Sequence, residues 1–244
     1  VKENKYDDSI FFDKYSNMER SVNGLEGAGE WYELKKMLPD FKGKRVLDLG
    51  CGFGWHCRYA MENGAKSVVG VDISQRMLKE AKKKTKVEGI QYLCMPIEDV
   101  DFPADSFDVV ISSLAFHYLQ SFEDIVSRIN NCLTKGGDFV FSVEHPIFTA
   151  QGVQDWYYDY EGNRLHWPVD RYFTEGIRQS SFLGEEVTKY HKTLTTYLNS
   201  LIKAGFEING VVEPKPEDNL ISTDPGMLDE LRRPMMLLLS SRKK

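Results

Sequence analysis

The segment Val46-Leu47-Asp48-Leu49-Gly50-Cys51-Gly52-Phe53-Gly54 constrains the fold more than any other part of the chain. The short apolar run Arg45-Val46-Leu47-Asp48-Leu49 reads as a buried strand that ends at Gly50. Helical spacing then runs from Trp55 to Asn63, and Gly64 is placed to close that helix. Glycines at a strand-to-helix turn let the backbone bend sharply and approach a ligand with no Cβ in the way. The helix that follows offers unpaired N–H groups and a positive end. A second strand, Ser67 to Asp72, ends in an acid that lies 18 residues past Gly54. A carboxylate at the end of strand two can accept hydrogen bonds from both hydroxyls of a ribose.

The rest of the first 145 residues repeats this alternation. Ser74 can cap a helix from Gln75 to Thr85, and Gln91 to Cys94 reads as a third strand. Phe107 to Ser113 is a fourth, Ser121 and Asp124 open a helix from Phe122 to Cys132, and Gly136-Gly137 turns the chain into a fifth strand, Asp138 to Val143. Continuous apolar strands separated by amphipathic helices predict a parallel sheet covered on both faces, joined by right-handed crossovers. Residues 146–186 break the pattern: they are rich in aromatics, Gly and Asp, without clear periodicity, and a loop of that length is usually functional. A helix from Val187 to Ala204, ended by Gly205, and strands at Phe206 to Val212 and Met235 to Ser240 complete the reading, with a Pro- and acid-rich stretch from Glu213 to Asp224 between them.

A length of 244 residues suits one domain, 1–244, with an N-terminal helical cover in 1–40 and a substrate-side insertion or lid in 146–186. The formal net charge of −6 weighs against a non-specific grip on nucleic acid, and lysines 79, 82, 83, 84 and 86 read as a solvated helix face. Cys51, Cys57, Cys94 and Cys132 form no C-x-x-C pair, so reduced thiols in a cytoplasmic protein are expected, with no metal site. The visible N-terminus is polar and no apolar run approaches ~18 residues, so neither a signal segment nor a membrane span is expected.

The spacing Gly50-x-Gly52-x-Gly54, followed by the bulky Trp55, departs from the Gly-x-Gly-x-x-Gly of dinucleotide sites. Asp48 would repel a pyrophosphate and would suit an ammonium. Asp48 to Gly54 resembles motif I of the class I S-adenosylmethionine-dependent methyltransferases, and Val71 to Leu78 resembles their second motif. Phe102 to Val110 is similar to the stretch entering their fourth strand, and Leu133 to Gly137 to the turn before their fifth. The resemblance spans about 40–145 and is nearest to the small-molecule branch of ubiquinone-biosynthesis and sterol type. It implies an α/β Rossmann-like sheet of seven mostly parallel strands in the order 3-2-1-4-5-7-6, strand seven antiparallel, with helices on both faces.

The resemblance also implies a cofactor site for S-adenosyl-L-methionine. Gly50, Cys51 and Gly52 would line its methionine and ribose, and Asp72 would hold the ribose hydroxyls. Ile73 and Met77 would pack on the adenine, Tyr15 could reach the methionine end, Asp48 would suit its ammonium directly or through water, and Ser113, just past strand four, completes the candidate cofactor set. Where the family commonly carries an Asp for the adenine amino group, this chain has Pro96. Ile97 N–H would then meet an adenine nitrogen, with Glu98 the candidate replacement carboxylate.

Methyl transfer from a sulfonium needs in-line alignment more than a fixed catalytic set, although oxygen and nitrogen nucleophiles can require a base. Substrate belongs beyond the carboxyl ends of strands four and five, which makes His117 and His145 the candidate bases. Each also has a structural reading, His117 in the following helix and His145 at the turn before Pro146. Trp156, Trp167 and Tyr172 could bury a flat acceptor or form a satellite core, and Arg171 and Arg178 could hold an anion. Gly24 to Gly29 reads as a segment able to close over the site, and His191 as a structural helix residue. The expected activity is methyl transfer to a small molecule. RNA or protein methylation on the same scaffold and a non-catalytic S-adenosylmethionine-binding subunit are the alternatives. A nicotinamide-dependent oxidoreductase fits the glycine spacing poorly, and oligomeric state is not legible.

Overall fold

The computed structural model describes all residues but Val1, Glu3, Asp224 and Pro225, and all side chains of the rest but those of Asn219, Leu220 and Thr223. The start of the chain at Val1 and the Asp224 end of the acid-rich stretch therefore lie outside the described residues. In chain order come α1 (Ser9–Ser16), α2 (Glu19–Val22), α3 (Trp31–Met37), β1 (Arg45–Leu49), α4 (Trp55–Glu62), β2 (Ser67–Asp72), α5 (Gln75–Lys84), β3 (Ile90–Cys94), β4 (Phe107–Ser113), α6 (Phe122–Cys132) and β5 (Leu133–Glu144). They are followed by α7 (Pro146–Thr149), β6 (Tyr157–Tyr158), β7 (Arg164–His166), β8 (Gly176–Phe182), β9 (Glu185–His191), α8 (Leu194–Lys203), β10 (Phe206–Val212), α9 (Asp218–Thr223), α10 (Met227–Glu230) and β11 (Met236–Lys243).

Seven strands form one sheet in the order β3-β2-β1-β4-β5-β11-β10. Strands β1 to β5 pair in parallel, and β11 runs antiparallel to both β5 and β10. Counted within this sheet, that is the expected order 3-2-1-4-5-7-6. Alternate residues of the central strands enter opposite cores, as the two-residue period of a strand requires. Leu47, Leu49 and Val110 join the core beneath α6 and α8, while Val46, Val109 and Ile111 join the core beneath α4 and α5. At the start of β1, the Arg45 backbone N–H and guanidinium all donate to Asp108 of β4, at 2.8 to 3.1 Å. This clamp closes the amino end of the sheet, and the cavity described below opens at the carboxyl end. Among the described residues no helix is long and apolar enough to cross a membrane.

Three expectations need correction. Gly136 and Gly137 do not precede the fifth strand. β5 begins at Leu133, and the glycines form a bulge between the pairs Phe107–Leu133 and Val109–Asp138. The helix expected from Val187 begins only at Leu194, because residues 185–191 are strand β9. Burial explains the error: Val187, Lys189 and His191 point inward with a period of two, and Thr188 and Tyr190 between them are less buried. Thr193 then caps α8 by accepting from the Thr196 N–H. His191 is therefore a strand residue, bonded to Thr149 and to the Tyr172 carbonyl. Finally, residues 146–186 are not one irregular loop. They hold α7, the β6–β7 pair and β8, which pairs with β9 as a hairpin.

The larger core centres on an aromatic cluster. The Phe141 ring lies 4.8 Å from Phe139, 5.5 Å from Phe116 and 5.4 Å from Phe122, and is fully buried. Phe141→Ala is expected to lower the unfolding free energy by about 3–5 kcal/mol in a urea titration with the slope unchanged. A loss under ~1 kcal/mol would show that this cluster is not what holds the sheet to its helices.

Candidate functional site

A cavity of about 300 Å³ lies beyond the carboxyl ends of the central strands, where the strand order reverses between β1 and β4. Its floor is the glycine turn. Gly50 and Cys51 both donate their N–H to the Val71 carbonyl, at 2.8 and 3.0 Å, which folds the turn back over β2. Gly50 has φ +76°, and a Cβ there would stand 2.5 Å from the Cβ of Ala115. Gly52 has φ +51°, and a Cβ there would meet nothing within 4 Å. One glycine is required by packing, and the other faces open space.

Asp72 ends β2 beside this turn. One carboxylate oxygen accepts from Gly52 N–H and the other from Ser74 N–H, both at 2.8 Å. Burial pushes its carboxyl up to about 6 against those two bonds, which leaves it largely ionised at neutral pH. Ile73, Met77, Pro96, Ile97 and Glu98 form the adjoining wall. Ile97 opens a short 3-10 turn to Asp99, so its N–H precedes the first carbonyl of that turn.

The roof comes from the N-terminal residues. The Asp7 carboxylate accepts from Ser74 Oγ at 2.6 Å and from Arg76 N–H at 3.1 Å, and its carbonyl accepts from Arg76 Nε at 2.9 Å. Lys2 pairs with Asp99 at 2.5 Å. These contacts strap the segment across α5, and Tyr6, Tyr15, Met18 and Arg20 line the cavity. Gly24, also in the lining, packs its backbone against the Trp55 ring in a 3-10 turn that runs to Gly27.

Sequence reasoning missed a buried ion pair in this roof. Arg20 donates to Glu30 Oε1 at 2.6 Å, and Ser113 Oγ donates to the same oxygen at 3.2 Å. Burial alone would raise Glu30, but the Arg20 charge outweighs it and the carboxyl stays below its ordinary range. Glu30 Oε2 is buried without a hydrogen-bond partner among the described residues, and so is Trp55 Nε1. Next to them His56 is pushed down to about 4 by burial.

The structure brings Gly50, Cys51, Gly52, Asp72, Ile73, Met77, Ile97, Glu98, Ser113, Tyr15 and His117 to one cavity. It does not bring Asp48 or His145. Asp48 is 1% exposed and accepts from the Cys57 thiol at 3.1 Å, within the core beneath α4. A strand alternates its side chains, so Asp48 lies on the α4 face of β1 with Val46, opposite Leu47 and Leu49. His145 caps α7, its Nδ1 accepting from Ile147 N–H at 3.1 Å and its Nε2 lying 2.8 Å from Glu213. It fixes the turn before Pro146. Arg171 and Arg178, for which the sequence leaves both anion binding and plain surface solvation open, do not line the cavity. Arg178 spends its guanidinium on the carbonyls of Ala150, Arg171, Thr174 and Ile177, and Arg171 lies outside the cavity. Trp156 and Trp167 form a satellite core with Phe148 around Arg233, and Tyr172 accepts from Leu194 N–H. From residues 146–186 it is Phe182, on the β8–β9 hairpin, that reaches the cavity.

His117 sits in a 3-10 turn after β4, 2% exposed, with burial pushing it down to about 4. Its Nδ1 accepts from Glu144 N–H at 3.4 Å. The Glu144 carboxylate is itself tied at both oxygens, to Lys189 at 2.6 Å and to Gln154 at 2.8 Å.

Residues 47–141 match the family described as a methyltransferase domain. A crystal structure of an S-adenosylmethionine dependent methyltransferase from Mesorhizobium loti is 45% identical, covers 90% of this chain and 100% of its own, and superposes with a TM-score of 0.84. A chain from Listeria monocytogenes described in the same terms is 59% identical, with 88% and 98% covered and a TM-score of 0.83. An uncharacterized protein of Haemophilus influenzae is 32% identical over 98% of this chain and 96% of its own length. Two further relatives match only in part: a tRNA U34 carboxymethyltransferase of Hahella chejuensis, 33% identical over 35% of its length, and a malonyl-[acyl-carrier protein] O-methyltransferase of Enterobacter lignolyticus, 35% identical over 42%.

The misplaced acid gives a pH prediction. Burial raises the Asp48 carboxyl to about 7, whereas in the unfolded chain it ionises near ~3.9. The unfolded chain thus releases a proton that the folded one keeps, and stability falls as pH rises from about 4 to 7. Asp48→Asn is expected to remove that decline, seen as a melting temperature that gains on wild type across this interval. A constant offset between the two curves would mean that Asp48 is already ionised in the fold.

Proposed function

The chain belongs to the S-adenosylmethionine-dependent methyltransferases, and from that membership we propose that its cavity binds the cofactor as two separately read halves. Asp72 takes the ribose hydroxyls, with Gly50, Cys51 and Gly52 beneath the sugar and the methionine chain. Ile73, Met77 and Ile97 pack the adenine, the Ile97 N–H faces a ring nitrogen, and Glu98 receives the amino group in place of the acid that Pro96 displaces. At the other end Arg20 reads the carboxylate and Glu30 the ammonium, with Ser113 and Tyr15 beside them. The observation that carries this reading is the pairing of Asp72, fixed by two backbone N–H groups, with an open face at Gly52. The partnerless Glu30 Oε2 and Trp55 Nε1 support it, because buried polar atoms are normally bonded and a zwitterionic ligand offers both donors and acceptors. When bound, S-adenosylmethionine supplies a methyl group on a positively charged sulfur.

The protein's contribution is to orient and to exclude water. Residues 1–40 act as a helical cover, strapped down by Asp7 and sealed where Tyr6 OH meets Tyr118 OH at 3.2 Å. The insertion 146–186 closes the acceptor side through Phe182. The acceptor is a small molecule: the lining is largely apolar and aromatic, and the net charge of −6 offers little to a polyanion. The four free thiols fit a cytoplasmic setting. The partial relatives are named for a tRNA uridine and for a carrier-bound malonyl group, so family membership alone leaves open the RNA or protein acceptor and the non-catalytic subunit.

Titration calorimetry with S-adenosylhomocysteine and with adenosine separates the halves. Asp72→Ala should weaken both ligands by roughly tenfold or more, the scale of a charged hydrogen bond. Arg20→Met with Glu30→Gln should weaken S-adenosylhomocysteine by a similar factor and leave adenosine unchanged. Equal losses of both ligands in the second variant would refute the two-part assignment.

A further inference from the structure

The half of the cavity away from the glycine turn contains a histidine placed where a base would stand, yet held in the wrong tautomer to be one. His117 Nδ1 accepts the Glu144 N–H, so in the neutral ring the proton sits on Nε2. Nε2–H is a donor. Each oxygen of Glu144 accepts a bond, from Lys189 and from Gln154, and these partners outweigh burial and hold the carboxyl below its ordinary range, which makes it a weak base. The Tyr6 and Tyr118 hydroxyls bond each other, and burial keeps Tyr6 protonated well above its ordinary range. On the cofactor side, Asp72 is held by two N–H donors, and Glu30 is paired with Arg20 through Oε1, its Oε2 being assigned above to the ammonium. Of these described groups, His117 presents a donor, Glu144 is neutralised by Lys189, and the two tyrosines keep their protons on each other, so none of them is set up as a base near neutrality.

Buried cations stand behind the same wall. The charges that act on His117 are Glu144 from β5, Lys189 from β9, Lys192 just past β9 and Arg20 from α2. Lys189 is matched by Glu144, and Arg20 by Glu30. Lys192 is 4% exposed and donates to two carbonyls, Leu119 O at 2.5 Å and Tyr190 O at 3.3 Å. Among the described residues no carboxylate lies within salt-bridge distance of it, Glu175 acting at longer range. Burial lowers Lys192 to about 8, which leaves most of it charged at neutral pH. Leu119, the residue it grips, is part of the cavity wall. Lys192 is itself outside the cavity lining, and its buried charge acts on the wall through Leu119 and on His117 at longer range.

Resting on the cofactor reading above, we propose that the methyl acceptor is a small carboxylic acid bound as its carboxylate, with one oxygen held by His117 Nε2–H and the other attacking the methyl group. The attacking oxygen supplies the electron pair of the new C–O bond. The pair of the broken C–S bond goes to sulfur, which becomes a neutral thioether. The product is a methyl ester, and no proton is transferred, which is why the site needs no base. Met18, Leu119, Phe182 and Met235 provide an apolar wall for the carbon body of the acid. An alcohol acceptor, or an amine that must lose a proton, would need a base, and His117 in this tautomer and Glu144 paired with Lys189 are poorly suited to that role.

Two measurements decide it. In ¹⁵N-histidine NMR of the full chain, with and without S-adenosylhomocysteine, His117 should show an unprotonated Nδ1 and a protonated Nε2, without titration between about pH 6 and 8. A proton on Nδ1, or titration near ~6.5, overturns the proposal. This readout needs no turnover, and calorimetry of S-adenosylhomocysteine on the same sample reports separately on the cofactor site. The second measurement incubates the enzyme with tritiated-methyl S-adenosylmethionine and a cell small-molecule extract supplemented with aliphatic and aromatic monocarboxylic acids, followed by treatment with base. Label released as methanol identifies an ester and supports the proposal. Base-stable label, or no base-labile label at all, overturns it. Ester formation should fall roughly tenfold less in His117→Gln, which keeps an N–H at the Nε2 position, than in His117→Leu. Equal losses would point to proton transfer by the ring.

Discussion

The carboxylate of Asp72 is the point from which the site is organised. It ends β2, it is held at both oxygens by backbone N–H groups, and those groups belong to the two segments that frame the cavity, the glycine turn and the start of α5. A buried carboxylate is tolerable only when bonded, and bonding it here fixes Gly52 against Ser74. The parallel sheet makes the arrangement possible. Its strands deliver their carboxyl ends to one side, and the reversal of order between β1 and β4 leaves a gap there that helices on either face do not fill.

Over this floor the N-terminal residues lie as a strap rather than as a second domain. Asp7 bonds to the same first turn of α5 whose Ser74 N–H holds Asp72, so the roof and Asp72 share a helix end. The Arg20–Glu30 pair continues the roof toward β4, where Ser113 meets it. The β8–β9 hairpin closes the remaining side through Phe182 and through Lys189, whose ion pair holds Glu144 and thereby the backbone N–H that sets the His117 tautomer. The cavity is thus walled by four parts of the chain, each tied to the sheet by buried polar contacts.

What was legible in the sequence is what local chemistry dictates. The glycine turn, the acid at the end of β2, the caps at Ser74 and Ser121 and the uniformly apolar central strands each follow from near neighbours, and together they specify a parallel sheet, whereas the strand order and the residues assigned to the cofactor are what the family resemblance implies. The Arg20–Glu30 pair was not legible, since ten residues of separation and a tertiary fold bring it together. Strand β9 was mistaken for helix because Val187 to Ala204 carries enough apolar residues to satisfy either period. Only Gly184, in the two-residue turn between β8 and β9, hinted at a hairpin. Asp48 was placed by its charge at the end of β1 and His145 by its position past the fifth strand, and side-chain direction turns Asp48 toward Cys57 and His145 toward Ile147 and Glu213.

The central claim is that the glycine turn, Asp72 and the Arg20–Glu30 pair bind one molecule of S-adenosylmethionine with its sulfur turned toward the His117 side. A crystal structure of the protein with S-adenosylhomocysteine tests this most directly. The account predicts ribose hydroxyls on Asp72, the amino-acid carboxylate on Arg20, the ammonium on Glu30 Oε2, and the sulfur facing His117 and Tyr118. Ligand density outside this cavity, or a ribose that bypasses Asp72, would contradict it.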